Sequence, residues 1–122
     1  MSEIVTPQAV EKRLRDLGRE LDEAQAELVL AEDSYAKWKS EFEVTCAKAR
    51  LRIGKAALSA GQKITVQEKE DQALVECEVQ YRGLLGSEAV VKATRANMQR
   101  IKTQIDIARS VGTSVRSSME LA

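Results

Sequence analysis

Ten core-type positions follow one another at alternating steps of four and three residues: Val10, Leu14, Leu17, Leu21, Ala24, Leu28, Ala31, Tyr35, Trp38 and Phe42. This spacing holds a narrow apolar stripe on one side of a helix, the a/d seam of a left-handed coiled coil. Such a stripe leaves water only by facing another helix, from the same chain or from a second copy. After Phe42 a step of four replaces a step of three, and the seam continues through Cys46, Ala49, Ile53, Ala56 and Ala60. A stutter of this kind locally unwinds a supercoil. It coincides with a change from bulky to small seam residues.

The signals that bound helices are few. Residues 1–5 read as a frayed start. In Thr6-Pro7, the threonine hydroxyl is placed to cap the first free amides, and proline is tolerated at the first helical position. The pattern predicts a first long helix over 7–58, weakened at Gly18 by about 1 kcal/mol relative to alanine. The segment 59–64, centred on Gly61, reads as a turn, and Thr65-Val66-Gln67-Glu68 as a capping box. A second helical arm over 65–109 carries Leu74, Cys77, Tyr81 and Leu84. It then carries Val91, Thr94, Met98, Ile101, Ile105 and Ala108 at 3-4 spacing. Gly83 and Gly86-Ser87 are expected to bend or break it. The small, polar run from Ser110 predicts a flexible tail over 110–122.

The expected fold is therefore all-α and a single domain, a long helical hairpin with coiled-coil heptads that assembles into an oligomeric bundle or ring. Its core seam falls at Leu14, Leu17, Leu21, Leu28, Tyr35, Trp38, Phe42, Met98, Ile101 and Ile105. Length and composition agree with that picture. In 122 residues, 31% are charged and 3% aromatic, a profile of long helices rather than of a thick globular core.

Candidate chemistry is sparse. Histidine is absent, which removes the commonest general base and metal ligand. Cys46 and Cys77 stand too far apart for a zinc-ligand set and read as buried, reduced thiols. No glycine-rich phosphate loop occurs. The acidic pairs Asp22-Glu23, Glu32-Asp33 and Glu70-Asp71 are ordinary for solvated helix faces. No catalytic residues, metal or cofactor are expected. No signal peptide or membrane-spanning run is read, so the expectation is a soluble, cytoplasmic chain without membrane partners.

Lysine plus arginine equals aspartate plus glutamate at 19 each, so the distribution of charge matters more than its sum. From Arg15 to Glu43 nine acidic residues face four basic ones. There follow Lys48, Arg50, Arg52, Lys55 and Lys63, with no acid between Glu43 and Glu68. Lys48, Arg52 and Lys55 share one helix face off the seam. Such a cluster is either a solvated face near a turn or a patch that tracks phosphates, where counterion release drives binding. A second basic series, Arg95, Lys102, Arg109 and Arg116, recurs every seven residues beside the seam. Its expected role is pairing with acids such as Glu11 and Glu32 on the first helix. Tyr35, Trp38 and Phe42 lie on the seam and are expected in the core, not on a base-stacking surface.

Tyr35-Ala36-Lys37-Trp38, then Lys48-Ala49-Arg50-Leu51 shortly before a glycine turn, then a second helix ending in Ile101, Ile105 and Arg109, resembles the UvsY-type recombination mediators of phages. The resemblance covers roughly residues 30 to 110. It implies a small, all-helical, oligomeric protein that binds single-stranded DNA and helps a recombinase displace single-strand-binding protein. It also implies a phage-encoded protein working in the host cytoplasm. By that likeness Lys48 and Arg50 would contact DNA. The chain is shorter between the tryptophan and the Lys-Ala-Arg-Leu segment and has fewer aromatics in its second helix. The expectation is a non-enzymatic, self-associating protein that binds single-stranded DNA through Lys48, Arg50, Arg52, Lys55 and Lys63, with the C-terminal arginines assisting. The alternative is a coiled-coil protein-binding module (scaffold, chaperone or inhibitor) that recognises its partner through the acidic face.

Overall fold

The computed structural model describes residues 5–121. Residues 1–4, most of the expected frayed start, and Ala122 at the end of the expected tail lie outside the described residues. The fold is all-α, with α1 at Pro7–Ser59, α2 at Val66–Glu76 and α3 at Glu78–Leu121; no strand occurs among the described residues. The chain divides into two compact units. One joins the N-terminal stretch through Val29 to the segment from Lys92 onward, and the other comprises Leu30–Val91. Each is a helical-hairpin pairing with its own core.

The caps are those the residues dictate. The Thr6 hydroxyl accepts from the Ala9 amide at 3.1 Å, and α1 begins at Pro7. At the other end Gly61 takes φ 67°, a left-handed conformation open to glycine without a Cβ penalty. The Gln62 amide donates to Ala57 O at 2.9 Å and the Gly61 amide to Leu58 O at 3.1 Å, a Schellman closure. Thr65 then caps α2, its hydroxyl accepting from the Glu68 amide at 3.0 Å.

In the unit formed by the two ends of the chain, Leu17, Ala24, Ile101 and Ala108 are buried together, with Leu14, Leu21, Met98 and Ile105 half-buried around them. In the unit Leu30–Val91 the buried cluster is Cys46, Ala49, Ile53, Ala73 and Cys77, flanked by Phe42 and Ile64. Tyr35, Trp38 and Phe42 are half-buried, as is Leu28 in the first unit. The Phe42 and Tyr81 rings meet at 5.5 Å with a 42° tilt.

The structure departs from the sequence expectation in three respects. The segment from Ser110 is no tail: α3 runs to Leu121, because the 3-4 seam continues through buried Gly112 and half-buried Val115. A Cβ on Gly112 would come within 3.0 Å of Val10 Cγ1, so this glycine permits a close helix approach and does not end the helix. The second arm breaks at Cys77, not at Gly83 or Gly86-Ser87. Cys77 sits at φ −98°, ψ 21°, and its amide still reaches Ala73 O at 3.0 Å, while its carbonyl accepts from the Tyr81 amide at 2.9 Å. Gly83 faces Trp38, and any Cβ there would overlap the indole ring. Ser87 is helical and buried, its hydroxyl donating to Leu84 O at 2.9 Å, so this polar side chain is satisfied within α3. On the small-residue seams, Ala56 and Leu74 are exposed while Ala57 is half-buried and Ala73 buried, a phase shift of one residue.

Candidate nucleic-acid interface

The basic cluster lies wholly within the unit Leu30–Val91, on the last turns of α1 and the loop that follows. At 100° per residue, Lys48, Arg52 and Lys55 fall on one face of α1, turned away from the Cys46–Ala49–Ile53 stripe. Arg50 falls on the opposite edge. All three lysines of the cluster, Lys48, Lys55 and Lys63, are exposed and make no ion pair among the described residues.

The two arginines are engaged. Arg50 Nη1 reaches Glu70 Oε2 at 3.5 Å across one edge of the α1–α2 contact, and Arg52 donates to the Glu76 carboxylate across the other. Hydrogen bonding to Glu76 pushes the Arg52 guanidinium still further toward its charged form. These pairs are half-exposed and worth little to stability on their own. Their larger consequence is electrostatic. The stretch without acids between Glu43 and Glu68 is linear only, since the turn at Gly61 folds Glu70 and Glu76 back onto it. Arg52 and Lys63 line one depression together with Glu68 and Glu76. The field of this face is therefore carried mainly by Lys48 and Lys55.

Beneath the basic face the two cysteines are both buried and free. Burial, then the hydrogen bond with Cys77 and its charge, pushes the Cys46 thiol up to about 11 from an ordinary 9.0. A thiol so placed stays protonated and is a weak nucleophile. Among the described residues no cluster of three or more histidine, cysteine or acidic side chains is arranged to hold a metal. No helix among them is long and apolar enough to cross a membrane.

The second basic series sits in the other unit, on α3, where Arg13 of α1 also donates to Gln104 Oε1 at 3.1 Å. Arg109 and Glu11 line one recess there. Sequence reading missed Arg15 and Arg19, which belong to a stretch that is acidic by count but line an open depression with Arg109. Their i, i+4 spacing around Gly18 was the available signal. Comparison of the chain with family models, with curated proteins and with solved structures gave no match in any of the three.

Proposed function

We infer that the protein is a non-enzymatic accessory protein that self-associates through its helical seams and binds single-stranded DNA, in the manner of a recombination mediator. The observation that supports this reading is the exposed Lys48–Lys55 face of α1, with Lys63 beside it, free of carboxylate partners among the described residues. Each subunit offers a weak, salt-sensitive phosphate contact, and several copies aligned on one strand multiply it by avidity. Arg50 and Arg52 join once a phosphate displaces Glu70 and Glu76. In this reading the partners are further copies of the chain, single-stranded DNA and a recombinase or single-strand-binding protein, and the setting is the cytoplasm of a phage-infected host. The test is the variant K48E/R50E/R52E/K55E, which is expected to bind DNA far more weakly while its helicity and sedimentation stay unchanged. Unaltered affinity in the folded variant would remove the assignment.

One observation favours a second reading, a coiled-coil module that binds protein and no nucleic acid. Val44, Leu51 and Leu58 repeat every seven residues along α1 and are 49%, 65% and 82% exposed. An apolar row of that kind is a docking edge for another helix. Recovery of a stoichiometric protein partner, together with absence of DNA binding at low salt, would establish this reading over the first.

A further inference from the structure

A second group of basic side chains lies away from the Lys48 face. From Lys92 onward the chain holds six basic residues (Lys92, Arg95, Arg100, Lys102, Arg109 and Arg116) against two acids, Asp106 and Glu120. On α1 of the same unit Arg15 and Arg19 stand one turn apart with Gly18 between them. Arg15, Arg19 and Arg109 line one open depression of about 600 Å³, floored in part by Leu14 and Ile105. A neighbouring recess, sharing Leu14 and Arg109, is lined also by Arg116. Asp22 lines the first space and Glu11 the second. Among the described residues none of these four arginines forms an ion pair. The contrast with Arg50 and Arg52, both held by carboxylates, is direct.

We propose that this arginine-lined groove between α1 and α3 is a second binding site for the sugar-phosphate backbone of a single nucleic-acid strand. The proposal rests on the nucleic-acid reading of the protein and adds a site to it. Arginine presents a planar fork that bonds phosphate oxygens bidentately, where lysine offers a point charge. Arg109 and Arg116 lie two helical turns apart, about 10 Å along α3, so they address successive points of an extended strand rather than one phosphate. The apolar floor gives sugars and base faces a surface that needs no aromatic ring. The space at Gly18 is open: a Cβ built there meets nothing within 4 Å, so a side chain introduced at this position projects into the groove.

The experiment titrates labelled (dT)30 with the full chain, with R15Q/R19Q/R109Q/R116Q and with G18E, across a salt series. Circular dichroism establishes that each is folded. G18E leaves every arginine in place and sets a carboxylate among them, so it reports on the groove even if the quadruple variant fails to fold. The expected result is weaker binding by both, with the quadruple variant's slope of log affinity against log salt shallower by about 3. A folded variant with the wild-type slope, and G18E with wild-type affinity, would overturn the groove while leaving the Lys48 face standing. No binding by the wild-type chain would overturn both sites at once. Displacement of (dT)30 by poly-glutamate at equal charge concentration would overturn the nucleic-acid assignment in favour of an acidic protein.

Discussion

The two units pair helices in the same antiparallel way but with different proportions of large and small residues. The unit of chain ends fills its core with Leu17, Ile101 and the half-buried Leu14, Leu21, Met98 and Ile105, and contains no aromatic residue. The unit Leu30–Val91 buries Ile53 among smaller residues, Cys46, Ala49, Ala73 and Cys77, and holds every aromatic of the chain: Tyr35, Trp38, Phe42 and Tyr81. The edges differ as well. Around Arg50 and Arg52 the basic residues are paired with α2 carboxylates, whereas Arg15, Arg19, Arg109 and Arg116 form no ion pair among the described residues. A seam of large aliphatics holds two helices without help from its flanks. A seam of alanines and cysteines gains less from burial per residue, and here the Phe42–Tyr81 ring contact supplements it. Arg50 and Arg52 are thus held by carboxylates, and those four arginines of the first unit, among the described residues, are not.

Substitutions that exchange these materials have ordered effects. The largest is expected for Leu17→Ala, which empties a fully buried position and costs roughly 2–5 kcal/mol in denaturant unfolding. Gly83→Ala comes next. The added methyl overlaps the Trp38 ring, so the variant loses about 1–3 kcal/mol despite the better helix propensity of alanine, and Trp38 fluorescence shifts with it. If Gly83→Ala is neutral, Trp38 does not rest on that helix.

The cysteine core carries a pH signature that the aliphatic core lacks. Cys46 is raised to about 11, so the folded state holds its proton after the unfolded chain has released it. Stability from this source is complete below about pH 9 and is lost as pH rises toward 11, by about 3 kcal/mol in all. Thermal melts across that range should show the decline, and Cys46→Ala should abolish it. Smaller still, Gly18→Ala is expected to stabilise the chain by about 1 kcal/mol, because the site is open and alanine is the better helix former. The smallest stability change, within about 0.5 kcal/mol, belongs to E70Q/E76Q, which breaks two exposed pairs. That variant should nonetheless bind single-stranded DNA more tightly, by freeing Arg50 and Arg52.

Much of the helical pairing could be read from the chain, because a 4-3 stripe with Thr6-Pro7, Gly61 and Thr65 at its boundaries leaves few alternatives. Glycines were the harder residues. Gly112 and Gly83 sit inside helices because Val10 and Trp38 come close to them, and only the tertiary contact distinguishes such a glycine from a breaker. Cys77 broke α2 from α3 with no local signal. For the basic cluster, a count along the sequence recorded a gap in acids that the hairpin closes. Folding back about Gly61 sets Cys46 against Cys77 and Arg50 against Glu70, a mirror relation already implied by a single short turn. The same relation brings Arg109 to the α1 face of Arg15 and Arg19, in a stretch where acids outnumber basic residues by count.

The central claim is that exposed basic faces on this helical scaffold bind single-stranded DNA through its phosphates. It is tested most directly by the anisotropy of a labelled single-stranded oligonucleotide titrated with the unaltered chain, at low salt and again near physiological salt. The account predicts saturable binding that weakens steeply between the two. Absence of binding at low salt, or affinity indifferent to salt, would contradict it.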